Sequence, residues 1–436
     1  MIWFIYNILF VIGFLLMLPR FLIRMWRRGG YRKDFLQRAG IYSPDVLKRL
    51  SAKKRIWVHA VSVGEVYVAL RFMRELRPDN RDIAFILTTN TSTGYKIAEA
   101  GLNDDDVLLY FPLDFSCVVN RVLGKLNPAA LILTECELWP NLIRLAKNRN
   151  IPIILINGRI SESSYKGYKL LRFCFSKVLE CMDLFLVQTD TDKQRLLDIG
   201  ASRTKIHVVG SAKYDITGAD GSNRDHVFDI LEATGISRSD NIMVGGSTWP
   251  GEEDALLAIY KRLRTSFKDL RLVLVPRHAE RAGDVEKDIA RHGLTCVRRS
   301  KIEQSSAGEF AHTGDNNVVL LVDTTGELMD FYSAAAVIFV GKSLKAHGGQ
   351  NIIEPAILGK PVIVGPYMEN FPVVISDFLT ANAVIQVQDE EELEENLRSL
   401  LADEKLCKDY GLRAQALAKE KQGVVQNSVE LMRKVI

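Results

Sequence analysis

Apolar runs alternate along the chain with stretches of helical period. "RIWVHAV", "IAFILTT", "AALILTE", "IPIILIN" and "LFLVQT" are apolar without interruption by alternating polar positions. Such runs predict parallel strands covered on both faces. Between them, "YVALRFMRELR" and "LWPNLIRLAKNR" repeat apolar residues every three or four positions and predict helices. The pattern predicts a doubly wound α/β domain closing near "IHVVGSAKYD". "ITGADGSNRDHVFD" then reads as a linker leading into a helix. The alternation restarts with "NIMVGGS", "LRLVLVPRH", "NVVLLVDTT", "AAVIFVG" and "KPVIVGP", a second α/β domain. "VRRSKIEQSSAGEFAHTGDNN" is polar and reads as a loop, and Glu391 to Ile436 reads as mostly helical.

Ahead of both domains lies "IWFIYNILFVIGFLLMLP", broken only by Asn7. Eighteen helical residues reach about 27 Å, enough for a bilayer core. No charged residue precedes the run and no small-residue cleavage site follows it, so a retained anchor is expected, either spanning or lying shallowly. Arg20, Arg24, Arg27, Arg28, Arg32 and Lys33 follow it. The chain's net charge of +4 is therefore local, and the rest is near neutral. A basic collar of this kind places the bulk of the chain on the cytoplasmic face and excludes a nucleic-acid-binding surface as its purpose. The expected layout is an anchor over 1–19, one α/β domain over 20–213 and a second over 214–436. The six cysteines are scattered, with no CxxC and no zinc spacing.

Polar residues of interest cluster at predicted carboxyl ends of strands, where open α/β sheets bind ligands. No GxGxxG fingerprint is present, and "GKS" at Gly341 lacks the upstream glycine of a P-loop. Glu65 stands where a strand turns into a helix. It reads either as a first-turn acid favoured by the helix dipole or as a general base. Glu135 and Glu137 follow the next strand end, as caps or as ligand-binding acids. Asn157, Arg159 and Ser161 follow another, and Lys213 closes the domain. In the second domain Arg277 and His278 end a strand. Thr325, Gly326 and Glu327 open a helix. Gly348 and Gly349 precede a helix expected near Asn351, with Glu354 one turn on. Together these suggest a nucleotide site.

The set "HAVSVGE", "TECELWPN", "NGRISESS", "GSAKYD", "GSTWPGEE", "VPRHAER", "DTTGEL" and "GGQNIIEP" resembles the bacterial 3-deoxy-D-manno-octulosonic acid (Kdo) transferases of lipopolysaccharide synthesis. The resemblance runs in order through most of the chain. It implies a glycosyltransferase-B fold, two Rossmann-like domains facing a cleft, with CMP-Kdo as donor and a tetraacyl lipid A precursor as acceptor. It implies inverting transfer without a metal or other cofactor, at the inner membrane. It places the base on Glu65, the supporting acid on Glu135 and the basic residue on Lys213. CMP contacts fall on Pro276, Arg277, Thr325, Gly326, Glu327, Asn351, Ile352, Ile353 and Glu354.

Two positions depart from the family pattern: Trp249 and Gln350 stand where some members carry histidine. Two rival readings stay open. One is a membrane-associated transferase using a UDP-sugar and a polyprenyl lipid, which donor competition by CMP against UDP would separate. The other is a non-catalytic protein that keeps the fold and binds without turnover.

Overall fold

The computed structural model describes residues 2–28, 34–77, 83–215, 224–302 and 317–436. The side chains of the expected basic collar lie outside the described residues, as do 216–223 of the expected linker and 303–316 of the expected loop. The chain forms two compact units, Met1–Lys213 with Gly423–Ile436, and Tyr214–Gln422.

The first unit holds β1 (Arg55–His59), β2 (Ala84–Thr89), β3 (Val107–Tyr110), β4 (Ala130–Thr134), β5 (Ile153–Gly158), β6 (Leu184–Val187) and β7 (Ile206–Val208). They pair in the order β3-β2-β1-β4-β5-β6-β7, each pair parallel. Both faces are covered. Trp57 and Ile86 pack into one layer, while Ile56, Val58, Phe85 and Leu87 pack into the other. This is why the strands read as unbroken apolar runs.

The second unit holds β8 (Asn241–Thr248), β9 (Leu270–Pro276), β10 (Thr295–Arg298), β11 (Val318–Leu321), β12 (Val337–Val340), β13 (Val362–Val364) and β14 (Ile385–Gln386). Their order is β10-β11-β9-β8-β12-β13-β14, again with parallel pairs. The strands absent from the sequence reading are β3, β7, β10 and β14, the edges of the two sheets. Edge strands are short and paired on one side only, so their apolar signal is weak.

The expected second domain is corrected at its end. The helix Val424–Met432 returns to the first unit, where Val424, Val425, Val429 and Met432 join the core beneath the helix Val63–Leu76.

The expected anchor is also longer than 1–19: one helix runs Ile2–Arg28, with Pro19 inside it. Among the described residues no helix is long and apolar enough to cross a membrane. One side of this helix is fastened to the first unit. Tyr6 donates to Asp114 Oδ2 at 2.8 Å, and Asn7 Oδ1 accepts from Ser116 Oγ and Asn141 Nδ2, both at 3.0 Å. Phe10 and Phe14 meet Phe115 edge-on, and Arg144 lies over Trp3. Its other side bares Phe4, Leu9, Leu15, Leu16 and Met17.

Asp114 is the buried end of that fastening, also accepting from Asn141 N and Leu142 N. Burial pushes its carboxyl up to about 6, against the pull of these donors. The folded state therefore binds a proton more tightly than the unfolded chain. The contribution of Asp114 to stability is greatest below the unfolded value near 4. It falls as pH rises to about 6, by roughly 3 kcal/mol. Urea titrations of wild type and Asp114→Asn at pH 4 to 7 should show the wild type losing that much relative to the variant. A pH-independent difference would exclude the ionisation.

Candidate active site

In the first sheet the strand order reverses between β1 and β4, the place where open parallel sheets take ligands. Glu65 and Glu135 follow these two strands. Glu65 is the third residue of the helix Val63–Leu76, and a reciprocal cap forms there. Ser62 Oγ accepts from Glu65 N at 3.3 Å. The Glu65 carboxylate turns back to accept from Ser62 N at 3.1 Å and Val61 N at 3.0 Å. Thr134 Oγ1, at the end of β4, lies 2.8 Å from Glu65 Oε2 and 2.9 Å from the His59 carbonyl. Its single proton serves one acceptor at a time. The helix-cap reading of Glu65 therefore holds, and it does not exhaust the group. Oε1 takes one of these hydrogen bonds and keeps a lone pair.

Glu135 sits at φ 51°, a left-handed turn directly after β4, with its N–H donating to the Ile156 carbonyl at 3.0 Å. Burial raises its carboxyl above the ordinary value. Lys213 and Arg159 pull it down, while Glu65 and Glu137 push it up. Lys213 is pushed down from the usual ammonium value by burial, with Glu135 and Glu65 opposing and Arg159 adding to the fall. Glu65, Glu135, Arg159 and Lys213 thus share one electrostatic neighbourhood. Asn157 Nδ2 and Ser211 Oγ are buried close by in sequence, with no hydrogen-bond partner among the described residues. Asn157 Oδ1 meanwhile holds Ala212 N at 3.0 Å, tying the strand end to the segment bearing Lys213. Glu137 turns elsewhere, to Trp139 Nε1 at 2.8 Å and His59 Nε2 at 3.7 Å. Ser161 caps the helix Glu162–Leu170.

The second sheet reverses between β8 and β12. Pro276 ends β9, and Arg277 N donates to the Thr248 carbonyl at 3.1 Å while its side chain is exposed. Thr325 and Gly326 form an exposed turn, with Gly326 at φ 96°. The Glu327 carboxylate is already held by Arg299 Nε and Nη2, at 3.0 and 2.9 Å, and by the Thr324 hydroxyl. The helix expected near Asn351 begins at Ile353 and is five residues long. Asn351 Oδ1 accepts from Ile353 N, and Asn351 Nδ2 donates to Glu354 Oε1, both at 3.1 Å. Burial raises the Glu354 carboxyl, and Asn351 and Arg277 pull it back. Ile352 and Ile353 bury their side chains in the core, so only their backbone is left for a ligand.

Glu252 escaped the sequence reading. It is fully buried in the first turn after β8. Its carboxylate accepts from Trp249 N, Lys342 N, Ser343 N and Leu344 N at 2.8–3.0 Å, bridging the reversal of the sheet. The "GKS" loop is therefore an anion cradle, filled by the chain's own glutamate. Gly341 must be glycine here, because a Cβ would stand 2.6 Å from the Ser247 carbonyl and 2.7 Å from Glu252 Oε2. A signal was present in "GSTWPGEE": an acid directly after a glycine that ends a strand turn.

Among the described residues no three His, Cys, Asp or Glu side chains gather as metal ligands.

Comparison with known proteins matches residues 33–216 to the model of 3-deoxy-D-manno-octulosonic-acid transferase (kdotransferase), and residues 309–417 to glycosyl transferases group 1. The 3-deoxy-D-manno-octulosonic acid transferase of Bordetella pertussis is 32% identical over 85% of this chain and 86% of its own. The chain belongs to the Kdo transferase family. These are glycosyltransferases. A bifunctional glycosyltransferase/methyltransferase of Fusobacterium nucleatum is 34% identical over 79% of this chain, and the match spans 52%, about half, of that longer protein. A solved glycosyltransferase from Rickettsia africae shares the fold at TM-score 0.56 and 14% identity, covering 88% of this chain and 99% of its own. The two parallel-sheet α/β units resemble those of glycosyltransferase-B proteins.

Within the Kdo transferase pattern, Trp249 has a definite environment. Lys342 Nζ lies 4.7 Å from the centre of its ring, and His278 meets it edge-on at 5.6 Å.

Removing the Glu252 carboxylate strands several N–H groups at once, each worth about 1–3 kcal/mol when buried without a partner. Glu252→Ala should therefore cost about 3–5 kcal/mol in urea unfolding. A loss within about 0.5 kcal/mol, as at an ordinary surface site, would rule out its structural role.

Proposed function

We propose that this chain transfers Kdo from CMP-Kdo to a lipid A precursor, the tetraacyl disaccharide bisphosphate, with Glu65 as general base. Family membership and the clustering of Glu65, Glu135, Arg159 and Lys213 at the reversal of the first sheet support this reading. The single observation that supports the mechanism is that Glu65 Oε1 accepts one hydrogen bond among the described residues, from Ser62 N, which leaves it a lone pair. The acceptor's sugar hydroxyl approaches it and loses its proton to the carboxylate. The hydroxyl oxygen forms the new bond to the Kdo anomeric carbon. The bond from that carbon to the CMP phosphate oxygen breaks, its electron pair leaving with CMP from the opposite face, so the centre inverts. Lys213 and Arg159 offset the negative charge gathered by Glu65 and Glu135. On the donor side, Arg277 and the turn at Thr325 to Glu327 meet the phosphate, and Asn351 and Glu354 meet the nucleoside hydroxyls. The monophosphate carries little charge, so the reading requires no metal.

The helix Ile2–Arg28 is proposed to lie in the plane of the inner membrane's cytoplasmic face. Its docked side is held by Asp114, Asn141 and Phe115, and its bare side offers Phe4, Leu9, Leu16 and Met17 to lipid. An in-plane helix keeps the first unit beside an acceptor whose acyl chains stay in the bilayer.

The test is turnover of CMP-Kdo, generated in situ, on labelled tetraacyl precursor with EDTA present, products weighed by mass spectrometry. Wild type should transfer. Glu65→Ala should fall by at least about 10²-fold, the size of a general-base contribution, and should also lose about 1–2 kcal/mol of stability as a cap. A folded Glu65→Ala at wild-type rate would remove Glu65 as base. Wild type that prefers a UDP-sugar would favour the rival donor.

For the membrane, Leu9→Glu with Leu16→Glu should cut co-sedimentation with anionic phospholipid vesicles about tenfold or more. Unchanged sedimentation would show that the bare side does not meet lipid.

A further inference from the structure

Lys342 is an anomaly that the transfer mechanism leaves unused. It stands at φ 58°, in the left-handed region that favours glycine, at the centre of Gly341-Lys342-Ser343. Ser247, across the reversal of the sheet, is similarly left-handed at φ 52°. Strain of this kind persists where surrounding structure over-determines it, and it gathers at ligand clamps. Here the over-determination is visible. Glu252 fixes the loop through Lys342 N at 2.8 Å and Ser343 N at 2.9 Å, and Gly349 N donates to the Lys342 carbonyl at 2.8 Å. The lysine side chain then runs beside Gly348, where Lys342 Cε stands 3.4 Å from the place a Cβ would occupy. It ends over the Trp249 ring at 4.7 Å. The indole Nε1 of Trp249 is itself buried with no hydrogen-bond partner among the described residues.

The neighbouring charges give the cluster its meaning. Glu252 is saturated by backbone N–H groups. Glu369 is held by His347 and Gly348 N, and Glu390 by Lys345. Lys342 forms no ion pair with a carboxylate among the described residues, and its contact with Trp249 leaves the ammonium protons available. Arg277, on the adjacent strand end, likewise makes no direct ion pair among them. A partly desolvated cation on an aromatic face, beside an unfilled indole donor, is a receptor for a compact anion.

We propose that Lys342 binds the carboxylate of the transferred sugar acid, its ammonium steadied on Trp249, with Trp249 Nε1 the second donor. The inference rests on the CMP-Kdo reading and deepens it. The donor carries two separated negative groups, the phosphodiester and the sugar carboxylate. Arg277 answers the first and Lys342 the second. A nucleotide sugar without a carboxylate leaves Lys342 with nothing to bind.

The experiment compares wild type, Lys342→Gly and Lys342→Arg. Glycine suits φ 58°, so Lys342→Gly relaxes the loop and its melting temperature should hold or rise. CMP binding is measured by calorimetry, and KM and kcat with CMP-Kdo generated in situ. The expected result is CMP affinity within threefold of wild type in every variant. KM for CMP-Kdo should rise tenfold or more in Lys342→Gly, with kcat far less affected, and partly recover in Lys342→Arg. Unchanged KM in Lys342→Gly would overturn the proposal while leaving the donor reading intact. A parallel loss of CMP affinity would also overturn it, by placing Lys342 on the nucleotide. Wild type that turns over CMP-Kdo no better than a UDP-sugar would overturn the donor reading and this inference with it.

Discussion

Each sheet is locked at its point of reversal by one glutamate from the first turn after its first strand. In the first unit, Glu65 gathers Val61 N, Ser62 N and the Thr134 hydroxyl across β1 and β4. In the second, Glu252 gathers Trp249 N, Lys342 N, Ser343 N and Leu344 N across β8 and β12. At such a reversal neighbouring connections leave in opposite directions and a crevice opens. Backbone N–H groups facing a crevice need an acceptor. The two glutamates supply one.

Fixed in this way, the strand ends can hold unfavourable backbone. Glu135, Asn157, Ser247 and Lys342 all have positive φ, and all lie at a strand's end or within two residues after it. Asn tolerates that region through its short polar side chain; Glu, Ser and Lys do so at a cost. The cost is met by the surrounding hydrogen bonds, as when Glu135 N reaches the Ile156 carbonyl. The result is a set of polar side chains aimed by rigid elements rather than by long loops, the condition under which a weak acid or a single lysine can discriminate.

The sheets were legible in the sequence because both faces of every central strand are covered, which leaves unbroken apolar runs such as "AALILTE". The edges were not, because "VLLY", "IHV" and "TCVR" are short and paired on one side. The return of Val424–Met432 to the first unit was invisible for another reason: an amphipathic helix states that it needs a core, not which one. At the site, the motifs put Glu135 and Arg277 directly after strands, Glu65 at a helix start and Asn351 just ahead of one, where the structure has them. Glu252 was missed because an acid after a glycine turn reads as a solvated helix start until the opposing loop is seen. The N-terminal helix shows the same limit. Its apolarity suggested an anchor, while Asn7, the one break in the run, and the hydroxyl of Tyr6 beside it fasten it to the first unit.

In the transfer we propose, Glu65 sets the deeper constraint. Its carboxylate accepts two backbone hydrogen bonds, from Val61 N and Ser62 N. The same bonds fix its position, which strengthens it through orientation. Glu135 shares its electrostatic neighbourhood, and Lys213 and Arg159 offset the charge that the two acids gather. Burial holds Lys213 below its usual ammonium value, with Glu135 and Glu65 opposing the fall. Substrate that excludes water from this cluster strengthens every one of these terms at once. On the proposed reading one carboxylate both caps a helix and meets the acceptor's hydroxyl, so the hydrogen bonds that build the turn also aim the base.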